Sequence, residues 1–106
     1  MRRIIVRGDV DNLAELKAYL PAHGLELKRK VQLNLNENEI IHYITVGGGA
    51  LGLAQCIVSF LKLKFQKRKL TIVIGEKKIS AEGCSVEEVA ALLDDAREFV
   101  ISDEEN

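Results

Sequence analysis

Residues 47–65 read Gly47-Gly-Gly-Ala-Leu-Gly-Leu-Ala-Gln-Cys-Ile-Val-Ser-Phe-Leu-Lys-Leu-Lys-Phe65, the most apolar stretch of the chain. On a wheel advancing roughly 100° per residue, Ala50, Leu53, Ala54, Ile57, Val58, Leu61 and Phe65 fall on one side. That is the i, i+3, i+4, i+7 spacing of a buried helix face. Leu51, Cys56, Phe60 and Leu63 widen the face on both flanks, so only Gln55, Ser59, Lys62, Gln66 and Gly52 form a polar strip. A surface helix needs an apolar sector of roughly 100°, and this one spans more than about twice that. Gly52 and the β-branched pair Ile57-Val58 also weaken its intrinsic propensity. The pattern predicts a central helix from Gly49 to Phe65, wrapped by neighbouring helices on two sides or by a second copy of the chain.

A membrane span is the rival reading. Between Ile40 and Leu61 there is no Asp, Glu, Lys or Arg, and Lys62, Lys64, Lys67, Arg68 and Lys69 follow as a positive flank. The consecutive glycines break that run, and residues 40–46 read as a strand. What remains is too short for a hydrocarbon layer of roughly 30 Å, so a core helix is expected and a membrane role is not.

The remaining composition bounds the class. With 106 residues, 29% charged and 47% hydrophobic, the chain has the make-up of one globular domain. Its net charge of −1 gives no global field favouring nucleic acid. Cys56 and Cys84 are too few for a disulfide framework and sit in apolar contexts, which implies reduced thiols in a cytoplasmic protein. The apolar run at the start stops at Arg7, too short for a secretion signal. One domain is expected over residues 1–101, followed by an acidic tail from Ser102 to Asn106.

In order, Arg2 to Arg7 reads as a strand, and Asp9 or Asp11 offers an N-cap to a helix carrying Leu13, Leu16 and Leu20. Pro21 and Gly24 end that helix. Leu25, Leu27, Val31, Leu33 and Leu35 alternate with Glu26, Lys28, Lys30, Gln32 and Asn34, the pattern of a strand with one solvated face. Asn36-Glu37-Asn38 reads as a hairpin turn and Glu39 to Val46 as the returning strand. A second hairpin turns at Gly75-Glu76, with Leu70, Ile72, Ile74, Ile79 and Ala81 inward. Ser85-Val86-Glu87-Glu88 is a capping box opening a helix to about Phe99. The expected fold is α+β, β-α-β-β-α-β-β-α, with a mixed sheet of about five strands and three helices on one side of it.

Few residues suggest chemistry. Gly47, Gly48 and Gly49 expose amides at a helix N-terminus, a place that favours anions, without the P-loop or dinucleotide spacing. Close packing of that turn against a strand is the competing explanation. His23 and His42 have no ligand or nucleophile at useful spacing, so no metal, cofactor or catalytic residue is assigned. The basic cluster after Leu61 complements a helix C-terminus. With Phe65 alone interleaved it does not suit single-stranded nucleic acid, and an acidic protein surface fits it better.

Three stretches carry a resemblance: Asp11-Asn-Leu-Ala-Glu-Leu-Lys-Ala-Tyr-Leu20, the glycine-led apolar helix closing with Phe60-Leu61-Lys62, and the basic stretch with its hairpin and short final helix. In these the chain resembles the effector-associated constant component family, small α+β proteins of bacterial conflict systems found alongside NTPases and effectors such as caspase-like peptidases. Family members often carry Trp and Arg where this chain has Phe60 and lysines. The resemblance implies a non-enzymatic adaptor that couples sensing to an effector through protein contacts, with effector or NTPase partners encoded nearby. The contact surface expected from the residues is Phe60, Lys62, Leu63, Lys64, Lys67 and Arg68. The alternatives are a small-ligand or anion sensor at the Gly47-Gly48-Gly49 amides, and a self-assembling structural subunit.

Overall fold

The central segment is helical and shorter than the wheel suggests. In the computed structural model, which describes residues 2–33, 38–47, 49–62 and 68–103, helix α2 runs Leu51–Leu61. Glycine forms helix poorly, so the predicted start at Gly49 moves to Leu51, behind an Ala50 N-cap. At the other end the Lys62 amide bonds the Ser59 carbonyl at 3.2 Å, a tightened last turn, and the predicted end at Phe65 lies outside the described residues. Leu53, Ala54, Cys56, Ile57 and Phe60 are buried, while Gln55, Ser59 and Lys62 form the exposed strip.

The other elements are β1 (Arg2–Arg7), α1 (Val10–Tyr19), β2 (Leu27–Leu33), β3 (Asn38–Val46), β4 (Arg68–Ile74), β5 (Lys77–Ser80), α3 (Val86–Asp95) and β6 (Glu98–Asp103), with a 3₁₀ turn at Pro21–His23. The strands form one mixed six-stranded sheet, ordered β2-β3-β1-β6-β4-β5. Every neighbouring pair is antiparallel except β1 and β6, which run parallel at the centre. The class is the expected α+β, with one strand more than anticipated.

That strand is a correction. The final helix ends at Asp95, not near Phe99, and Ala96 is already extended (φ −84, ψ 147). Two carboxylates, Asp94 and Asp95, oppose the negative end of the helix dipole. Beyond them Phe99 and Ile101 alternate with Glu98 and Val100, a period of two that favours a strand. Ser102 and Asp103, assigned above to the acidic tail, belong to β6 and pair with Lys69 and Arg68. The predicted turn over residues 36–38 lies outside the described residues but for Asn38, which opens β3.

All three helices cover one face of the sheet, and α2 packs between α1 and α3. Ile4, Val6, Ile44, Leu70, Ile72, Phe99 and Ile101 rise from the strands to meet Leu13, Leu16, Leu53, Ile57, Phe60, Val89 and Leu93. Each such fully buried side chain contributes about 1.5–3 kcal/mol. Helices on both flanks thus cover the sector at Leu53, Ala54, Cys56, Ile57 and Phe60, while Leu51 at its edge stays 51% exposed and Leu63 and Phe65 lie outside the described residues.

Local signals fix the joints. Ser85 accepts from the Glu88 amide at 3.1 Å while the Glu88 carboxylate accepts from the Ser85 amide at 3.2 Å, completing the capping box. Gly75 opens the β4–β5 turn at φ 59, as a type II′ hairpin requires. Arg2 donates to the carbonyls of Leu93 and Ala96, placing a cation at the C-terminus of α3. Asp9 caps α1 through the Asn12 amide at 2.8 Å. The buried Asn12 side chain donates to Asp9 and, at 3.1 Å, to Asp103, tying α1 to the end of β6. Replacing Asn12 by Ala therefore lowers stability by about 1–3 kcal/mol in a urea melt, and Asp103→Asn loses less.

Candidate interaction surface

Alternation along each strand sends every second side chain away from the helices. Register then lines these side chains up across the sheet. One row crosses all the strands: Lys28, Tyr43, Ile5, Glu98, Val73 and Lys78 are successive neighbours. Beside it lie Arg7, Val100, Thr71 and Ser80, with Lys30 opposite Ile41, Arg3 opposite Thr45, and Lys69 opposite Ser102. Among the described residues no helix covers this face. Its centre is apolar at the half-buried Ile5, Ile41, Tyr43 and Val100 and the buried Val73, with Thr45 and Thr71 among them, while Arg3, Arg7, Lys28, Lys30, Lys69 and Lys78 are exposed around it.

The face is positive although the chain is nearly neutral. Among described side chains of this face the one acid is Glu98, which pairs with Arg7. The Arg3 guanidinium lies 4.9 Å from the centre of the Tyr43 ring, a cation–π contact that covers part of the only aromatic here among the described residues. Charges held along one surface steer an oppositely charged partner and act through association rate as well as affinity.

On the helix side, β2 and the outer half of β3 overhang α1. A groove of about 670 Å³ opens there between Val10, Leu13 and Ala14 of α1 and Leu27, Arg29 and His42 of the hairpin. Leu25 and Leu27 are only half-buried, and Val31, read from sequence as inward-facing, is 55% exposed beside Ile40. The reason is reach: no helix extends over the end of this hairpin.

The contact residues expected from sequence are dispersed. Phe60 is fully buried between α2 and α1, with the Tyr19 ring edge-on at 6.2 Å, so it is not a docking residue. Arg68 is 5% exposed, with its guanidinium 4.4 Å above the Phe60 ring and paired to Glu15. It starts β4, where the inward-facing period of two carries it under the helices; this too overturns the expected surface role. Lys62 is exposed at the end of α2, whereas Leu63, Lys64 and Lys67 lie outside the described residues.

At the glycine-rich lead-in, Gly47 and Gly49 are exposed and Gly48 lies outside the described residues. A Cβ on Gly49 would meet nothing within 4 Å, so close packing does not explain a glycine there. The Asp94 carboxylate of α3 accepts from the Ala50 amide at 3.2 Å, which places the chain's own anion at the positive end of α2. His23 and His42 stand on different elements, and among the described residues no three His, Cys, Asp or Glu side chains gather as a metal set. Cys56 donates to the Tyr19 carbonyl at 3.4 Å; burial pushes its thiol above the ordinary value, only partly offset by a backbone hydrogen bond.

The pieces of the open face were visible one strand at a time. Lys28 and Lys30 alternate with Leu27 and Val31, and Lys69 with Leu70. Strand order, which brings these residues onto one surface, is set by pairings between distant segments and leaves no local signal.

Two measurements check this geometry. Glu15→Ala leaves the Arg68 charge buried without its partner, yet Glu15 is 39% exposed and water relieves part of the penalty, so the expected loss is about 2–3 kcal/mol. Arg68→Met, which keeps the packing on Phe60 and removes the charge, costs less in the same denaturant melt. Asp94→Ala destabilises by about 1 kcal/mol through loss of the carboxylate at the positive end of α2.

In comparisons with known proteins, no family model, no curated protein and no solved structure matches this chain.

Proposed function

We propose that this chain is a non-enzymatic adaptor or regulatory component of a bacterial conflict, or defence-type, system, passing a sensed signal to an effector by docking. One observation carries the reading: among the described residues one face of the sheet has no covering layer, and that face has an apolar centre ringed by cations. Half-buried β-branched and aromatic side chains framed by charge are the make-up of a protein interface with a polar rim. The resemblance to effector-associated components supplies the biological setting, with effector or NTPase proteins encoded nearby as partners. The alternative of an anion sensor gains no support from the glycine-rich lead-in, where Asp94 already bonds the helix start.

The test is co-expression of the tagged chain with each neighbouring gene product, followed by affinity capture. Wild type is expected to retain a partner, and the paired reversal Lys28→Glu with Lys78→Glu to release it without lowering the melting temperature. Capture that survives this pair but fails with Lys64→Glu and Lys67→Glu would move the docking surface to the basic cluster. Capture of none of the products would remove the adaptor reading.

A further inference from the structure

We infer that the partner presents an acidic amphipathic helix, which lies across the helix-free face as a second helical layer. The inference rests on the docking reading and adds the chemistry of the partner. A sheet facing water on one side ordinarily carries polar side chains on that side. Here Ile5, Ile41, Tyr43 and Val100 occupy its middle strands β1, β3 and β6, where the helices on the opposite face would find their own apolar floor.

The dimensions fit one helix. Strands stand about 4.8 Å apart, so β3 to β4 spans about 14 Å. A helix with its side chains is about 10–12 Å wide, which fills that strip and leaves β2 and β5 outside it. Lys28 and Lys30 stand on β2 and Lys78 on β5, so cations border both long edges of the strip. An apolar stripe flanked on each side by Glu or Asp is the complement of that arrangement. The long lysine stems add apolar cover at the margins while their ammonium groups stay hydrated.

Other occupants match less well. A second copy of the chain, face to face, would oppose Lys28, Lys30, Lys69 and Lys78 with the same cations, and like charges across an interface suppress pairing. Single-stranded nucleic acid reads a sheet through several stacking aromatics. On this face Tyr43 stands alone, partly covered by Arg3.

The experiment titrates the full isotope-labelled chain with three probes: a synthetic helix with a leucine stripe and glutamate flanks, the same helix with lysine flanks, and oligothymidylate. The expected result is binding of the glutamate-flanked helix, with amide shifts centred on Ile5, Ile41, Tyr43 and Val100. Its affinity falls at least about tenfold in Lys28→Glu with Lys78→Glu, and falls again as salt screens the exposed charges. The salt series uses the wild-type chain, so it stands whether or not the variant folds. Equal affinity for the lysine-flanked helix, displacement by oligothymidylate, or shifts confined to the groove at Val10, Leu27 and His42 would overturn the inference. Absence of binding by the glutamate-flanked helix would overturn it too. If capture of a gene-neighbour product still depends on Lys28 and Lys78 in that case, docking on this face stands and only the partner chemistry fails.

Discussion

Helix α2 carries no charge between Leu51 and Leu61, and its apolar side chains point in more directions than one neighbour can cover. The rest of the arrangement answers that demand. With α1 on one flank, α3 on the other and the sheet beneath, Leu53, Ala54, Ile57 and Phe60 are at most 1% exposed. With Gly52 and the β-branched pair Ile57-Val58 inside it and Ala50 as its N-cap, this helix gains its stability from packing. Gathering the other two helices around it has a cost in coverage, because among the described residues none is left for the other side of the sheet.

That asymmetry links the core to the surface. Placing α2 between two helices puts every helix on one face, and the opposite face keeps β-branched and aromatic side chains in its middle and cations at its borders. The helix side is itself incomplete over the end of the β2–β3 hairpin, where Val31 and Ile40 stand exposed. Coverage follows the position of α2 and thins toward the edges of the sheet.

How much of this could be read in advance depended on whether the cause was local. The width of the apolar sector around α2, the Ser85 capping box, the Gly75 turn and the Asp9 cap each act within a few residues, and each was legible. Strand β6 was missed because Phe99 also continues the spacing of Val89 and Leu92, and only the paired aspartates with the change of period after Ala96 decide the matter. Two of the expected contact residues are buried for a related reason. Phe60 and Arg68 look like an aromatic beside a basic run, but tertiary structure stacks one on the other and pairs the arginine with Glu15 from a distant helix. Nothing in the sequence around Arg68 marks it as different from Lys69, which points outward.

The parallel pairing of β1 with β6 has a bearing on how the chain is made. The two halves of the sheet, β2-β3-β1 and β6-β4-β5, meet only along that seam, between segments at opposite ends of the described chain. Gly8 sets a tight clearance there, since a Cβ would come within 3.1 Å of the Ile101 carbonyl. Until the ribosome has produced residues 86–103, the first half-sheet has an open inner edge and α2 lacks α3. Closure of so long a loop is entropically slow. The nascent protein therefore passes through a stage with an unpaired strand and a greasy helix both uncovered, when a chaperone has most to hold.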